Sequence, residues 1–203
     1  LQAGSDDAIV FDRTNAQFLL NFFWALGLAN DNPILSSGPI TSRSGGDVSG
    51  YASTGGWAAG AIPATEIYSA TSVQPLDALQ QGRLATVASA AYRPCCNNST
   101  LFPDCNHGMA LLGLLEVVAA SDVDLDELYA VAKTVNSFWY PQQTTEVATF
   151  FRYALGQSFE EIDPRAAVAP EYFSSTGYQQ VNQWLAQNSL LENQTGGGSG
   201  CSL

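Results

Sequence analysis

The stretch "CNHGMALLGLLEVVAA", residues 105–120, constrains the fold more than any other part of the chain. Its one certain charge over four turns is Glu116, and a helix that is apolar on every side has to lie at the centre of a helical assembly rather than on its surface. Pro103 and Asp104 precede it, and Asp104 is the expected N-cap. The small residues Gly108, Ala110 and Gly113 would let a neighbouring helix, or a flat cofactor, come close.

Other segments can wrap such a helix. Phe18, Leu19, Phe22, Phe23 and Leu26 recur at spacings that give a wide apolar face, with Asp12 or Thr14 as cap and Gly27 and "NDNP" as the stop. "LDALQQGRLATVASAAY" reads as a helix with Leu76, Leu79, Leu84, Val87 and Ala91 inward, ended by Arg93 and Pro94. "SDVDLDELYAVAKTVNSFWY" opens on Asp122, Asp124, Asp126 and Glu127 and carries Lys133 later, the charge order a helix dipole favours. A calcium loop is set aside there, because the central Gly and terminal Glu that it requires are missing. "TTEVATFFRYAL", stopped by Gly156, and "TGYQQVNQWLAQNSLL", with Val181, Trp184, Leu185 and Leu191 on one face, supply two more helices. "FEEIDPRAAVAPEYF" between them is a proline-broken connector.

The fold class expected is mainly α: one helical domain over residues 1–192, then a flexible Gly/Ser arm at 193–203 that carries Cys201. An irregular, glycine-rich insertion is expected at 36–63, with a short β hairpin around "SGGD". Tyr51 and Trp57 in that insertion argue against plain disorder, since both rings are worth burying. Some β-branched character at 62–73 leaves room for a strand.

Charge narrows the function. Seven basic and nineteen acidic residues give a net charge of −12, a field that repels nucleic acid and anionic lipid headgroups. Only 13% of residues are charged, about half the usual fraction of ~25%, and Lys133 is the only lysine. This composition suits an extracytoplasmic protein, periplasmic or secreted, and a partner or larger assembly that covers part of its surface. The longest apolar run, at 18–29, is too short for a transmembrane segment. The opening "LQAGSDDAIVFD" does not resemble a signal peptide, and a mature product whose leader has been removed is the expectation.

The chemistry is concentrated in "YRPCCNNSTLFPDCNHGM", residues 92–109, which holds three of the four cysteines, the only histidine and the only methionine. Two readings compete. In the first, Cys95, Cys96, Cys105 and His107 ligate a transition metal or redox cofactor (copper, zinc or iron–sulfur), with Met109 as a further thioether for copper. A helix start favours a thiolate at Cys105. The function is then electron transfer or cofactor carriage. In the second, the cysteines are disulfide staples, with Cys201 pinning the arm to the loop 94–107 and stabilising the fold by ~4–5 kcal/mol if unstrained. The chain would then be a non-catalytic subunit of an extracellular or membrane-attached assembly, using the glycine-rich insertion as contact surface.

Other chemistries fit less well. Covalent haem needs C-x-x-C-H, and Asn106 separates Cys105 from His107. Blue copper needs two histidines. Axial ligation of a haem by His107, with Gly108 and Gly113 lining a slot, is a weaker option. Cys105 and His107 diverge on a helix at i and i+2, so a thiol–imidazole pair would need Cys95 or Cys96, and nothing else in the chain points to catalysis. Asn97, Asn98 and Asn193 stand in glycan-acceptor contexts. The C-terminal "CSL" misses a prenylation box by one position.

Overall fold

The computed structural model describes residues 9–57 and 60–191. The protein is mainly helical, and the β contacts among the described residues are two isolated bridges, Asn30 with Thr71 and Tyr92 with Ser99. In chain order the helices are α1 (Ala16–Ala29), α2 (Pro33–Ser36), α3 (Pro39–Ser44), α4 (Ala64–Ile67), α5 (Ala78–Ala90), α6 (Asn106–Ala119), α7 (Leu125–Trp139), α8 (Pro141–Phe150), α9 (Pro164–Ala167), α10 (Pro170–Phe173) and α11 (Ser175–Gln187). A π-helical turn, Phe151–Leu155, extends α8 and ends at the left-handed Gly156, whose φ is 72°.

Helix α6 is the centre: every residue from Gly108 to Glu116 is buried. Its closest neighbour is α1, and the contact is backbone to backbone. A Cβ on Gly27 would sit 2.5 Å from the Met109 carbonyl oxygen, and one on Gly113 would sit 2.3 Å from that of Phe23. Only paired glycines let the two helices come this close, so Gly27, expected as a stop signal, is instead an interior contact. Helices α5 and α7 flank α6, and α8 with α10 and α11 forms a second packed group.

The inward face of α1 differs from the one expected. Ala16, Leu20, Phe23, Trp24, Gly27 and Leu28 are buried, while Phe18 and Phe22 stack on each other at 6.4 Å and stay 68% and 48% exposed. The α6 contact required the glycine-bearing face, and this rotated the two phenylalanines outward. Leu79 of α5, expected inward, is also exposed.

The insertion resolves into short turns of helix rather than a hairpin. Asn32 caps α2, Gly45 and Gly46 take positive φ after α3, and Asp47 caps a 3₁₀ turn at Val48–Gly50. Its aromatics turn inward: Trp57 lies on Trp24 at 4.4 Å, and Tyr51 meets Phe102 edge-on at 5.5 Å. The acids before α7 act as the dipole argument requires, with the Asp124 carboxylate accepting the Glu127 N–H at 2.9 Å. The arm at 193–203, with Cys201, lies outside the described residues.

Candidate metal centre

The loop between α5 and α6 is held on both sides before any ligand chemistry is considered. The N–H and hydroxyl of Thr100 both donate to the Ala91 carbonyl at 2.9 Å, and Leu101 N–H donates to Ala88 at 2.8 Å. These bonds fold the loop back on the end of α5. Across the molecule, Ser175 N–H donates to the Cys96 carbonyl at 2.8 Å and Thr176 N–H to the Asn97 side chain at 2.9 Å, which ties the loop to the start of α11.

At its centre is Arg93, fully buried. One guanidinium nitrogen, Nη2, donates to the Asp104 carboxylate at 2.7 Å and to the Phe102 carbonyl at 3.2 Å. Asn98 donates to the other Asp104 oxygen at 2.8 Å. Nε and Nη1 have no hydrogen-bond partner among the described residues. The guanidinium lies against Gly108, where a Cβ would come within 2.6 Å of Cζ; the glycine is what admits a buried cation to the helix start. Asp104, expected as the helix cap, is thus the counter-ion of Arg93, and the cap is Cys105, whose Sγ accepts the Gly108 N–H at 3.4 Å.

The Sγ atoms of Cys95, Cys96 and Cys105 all lie within 4.8 Å of one another, with Cys95 and Cys105 3.9 Å apart. A disulfide needs about 2.05 Å, so no two of the three are bridged to each other. A metal bonded to sulfur at about 2.3 Å holds its sulfurs roughly 3.8 Å apart in a tetrahedron and roughly 4.0 Å apart in a trigonal plane. The Cys95–Cys105 spacing falls between the two, and the cluster could hold a metal ion.

Protonation in the cluster is uneven. The S–H groups of Cys95 and then Cys96 donate to Cys105 and hold its thiol well below the usual range, with the Arg93 charge and the Gly108 N–H acting in the same direction. Donating to Cys105 and Cys95, together with burial, pushes the Cys96 thiol up. The balance favours the thiolate at Cys105 and the thiol at Cys96, and a bound cation would displace the remaining protons.

His107 is not one of the group whose donor atoms all converge within 4.8 Å. Its ring packs on Tyr140, centroids 4.6 Å apart, and burial lowers its pKa, which keeps the imidazole neutral as ligation requires. The Tyr140 hydroxyl in turn sits 3.4 Å from Cys95 Sγ, and burial holds it protonated. Met109 is fully buried in the core.

Sequence reasoning missed two participants. Arg93 was legible only as a helix stop, although a cation two positions before Cys95 was a usable signal. Tyr140 comes from a different helix boundary, and nothing local marks it. Comparison with protein-family models, curated proteins and solved structures gave no match.

Proposed function

We propose that this chain binds one thiophilic metal ion through Cys95, Cys96 and Cys105, with His107 swinging off Tyr140 as a fourth donor, and that its role is metal carriage or electron transfer outside the cytoplasm. The observation that carries the reading is the convergence of three sulfurs at single-ion spacing. An iron–sulfur cluster spreads its cysteines over several irons and sets them farther apart, so zinc or copper fits better. Thiolates suit Cu(I), and a Cys3His set suits Zn(II). The acidic, lysine-poor composition supports the extracytoplasmic setting.

The test is metal analysis of protein loaded with Zn(II) or Cu(I) and then desalted, together with thiol titration. One equivalent of metal is expected, lost in Cys105→Ser, with His107→Ala weakening retention by at least about 10-fold, since a lost ligand should cost no less than a lost partner of a ligand. Failure to retain either metal in protein whose thiols titrate as reduced would overturn the proposal. A role as an assembly subunit has one observation in its favour, the exposed Phe18–Phe22 pair. Sedimentation of the Phe18→Ser, Phe22→Ser variant against wild type would detect self-association through that face.

A further inference from the structure

The chain carries seven cationic side chains, and five are engaged within the fold. Arg93 pairs with Asp104, and Arg165 pairs with Asp126. Arg83 donates to the carbonyls of Asp122 and Val123, and Lys133 to those of Phe159 and Ile162. Arg43 lies over the Phe102 ring. The side chains of Arg13 and Arg152 alone have no hydrogen bond, ion pair or ring contact among the described residues, and both residues line the same open cavity of about 940 Å³. In a molecule of net charge −12, two uncommitted guanidiniums facing one cavity select an anion.

The lining sharpens the chemistry. Thr144, Thr145 and Thr149 of α8 face the cavity, and each donates its hydroxyl proton to a backbone carbonyl, of Asn136, Pro141 and Thr145 respectively. Their oxygens are left as acceptors for donors on a ligand. Phe159 contributes an apolar wall and Glu160 a second acceptor, this one charged. A polyanion such as phosphate would meet the Glu160 charge and find few N–H donors beyond the two arginines. A monocarboxylate that brings its own O–H or N–H groups and an apolar body matches the two arginines, the threonine acceptors and the Phe159 wall. The volume falls within the ~300–1,000 Å³ typical of small-molecule sites. Arg152 stands on the π-helical turn at Phe151–Leu155, an irregularity that recurs at functional sites.

We infer that the cavity between Arg13 and Arg152 is a binding site for a small amino or hydroxy acid, in which the two guanidiniums hold the carboxylate and the α8 threonines with Glu160 accept from its amine or hydroxyl. The site uses none of the sulfur-loop residues and stands independently of the metal reading.

Isothermal titration of the full chain with phenyllactate and with phenylalanine tests it, with phenylalanine methyl ester and inorganic phosphate as controls. Saturable binding of at least one of the two acids is expected, and which of them binds more tightly separates hydroxy from amino acid. Arg13→Gln and Arg152→Gln should each weaken it about tenfold, the cost of one lost charged hydrogen bond. Arg83→Gln, whose guanidinium is engaged elsewhere, should leave it unchanged. Both arginines are exposed, so the variants should fold, and circular dichroism checks this. The assignment fails if neither acid binds at millimolar concentration, if ester or phosphate binds as tightly as the acids, or if both arginine variants keep wild-type affinity.

Discussion

At the start of α6 a buried guanidinium faces a carboxylate and three sulfurs; three turns further along the same helix a buried carboxyl faces only amides. Arg93 and Glu116 are both fully shielded from solvent, yet they end in opposite states. Arg93 keeps its charge against burial because the sulfurs of Cys105 and Cys96 lie alongside and Asp104 is paired with it. Glu116 has no cation beside it. Asn30 and Asn32 are near, but one N–H of each amide goes to the Gln74 carbonyl and the Gln81 side chain, and among the described residues neither Glu116 oxygen completes a hydrogen bond. Burial therefore outweighs the pull of the two asparagines and pushes the carboxyl up to about 8. Around one helix, the neighbours and not the depth of burial decide whether a charge survives.

The strongest way to break this contrast is to remove the cation. Arg93→Met should strand the Asp104 carboxylate and the Cys105 thiolate and cost about 3–5 kcal/mol in denaturant unfolding. Adding Asp104→Asn should recover part of the loss, and an Arg93→Met variant as stable as wild type would show that the pair is structurally idle.

Glu116→Gln should act in the opposite sense. The folded-state pKa of Glu116 lies above its unfolded value, so the native chain holds the proton more tightly and stability falls as pH rises from about 4.5 towards 8. The variant should lack this slope, matching wild type near pH 4 and exceeding it near pH 8 by an amount on the order of a few kcal/mol. Parallel pH–stability curves would contradict the assignment.

Gly113→Ala tests the contact that forces both ends of α6 inward. Its methyl would strike the α1 backbone, and a loss of about 1–3 kcal/mol is expected from the resulting shift of α1. Smallest of all, Arg165→Gln breaks an ion pair whose side chains are 47% and 76% exposed, and thermal unfolding should register little or no change, because solvent screens the pair. A cost as large as that of Arg93→Met would mean that burial is not what separates the two pairs.

Much of the molecule was legible in advance. The apolar run at 105–120 announced a buried helix, its small residues announced close packing, and the acids at 122–127 announced a capped helix; each is a local pattern whose meaning depends on neighbours within a turn or two. The cysteine loop was legible as a site but not as a geometry. The convergence of Cys95, Cys96 and Cys105 follows from ties to α5 and to the distant Ser175 and Thr176, and the place of His107 on Tyr140 depends on how α8 begins. The face of α1 was misread because Phe18 and Phe22 are as apolar as the residues that won the core. Apolar character alone could not choose between them.

Period, caps and breakers, all short-range, were enough to determine that the chain is helical and which helix lies innermost. Tertiary structure alone decided which polar groups meet inside it: Arg93 with Asp104 and the sulfurs, Glu116 with Asn30 and Asn32. Electrostatic partners act through space, and residues distant along the chain carry no repeating signal that would announce their meeting.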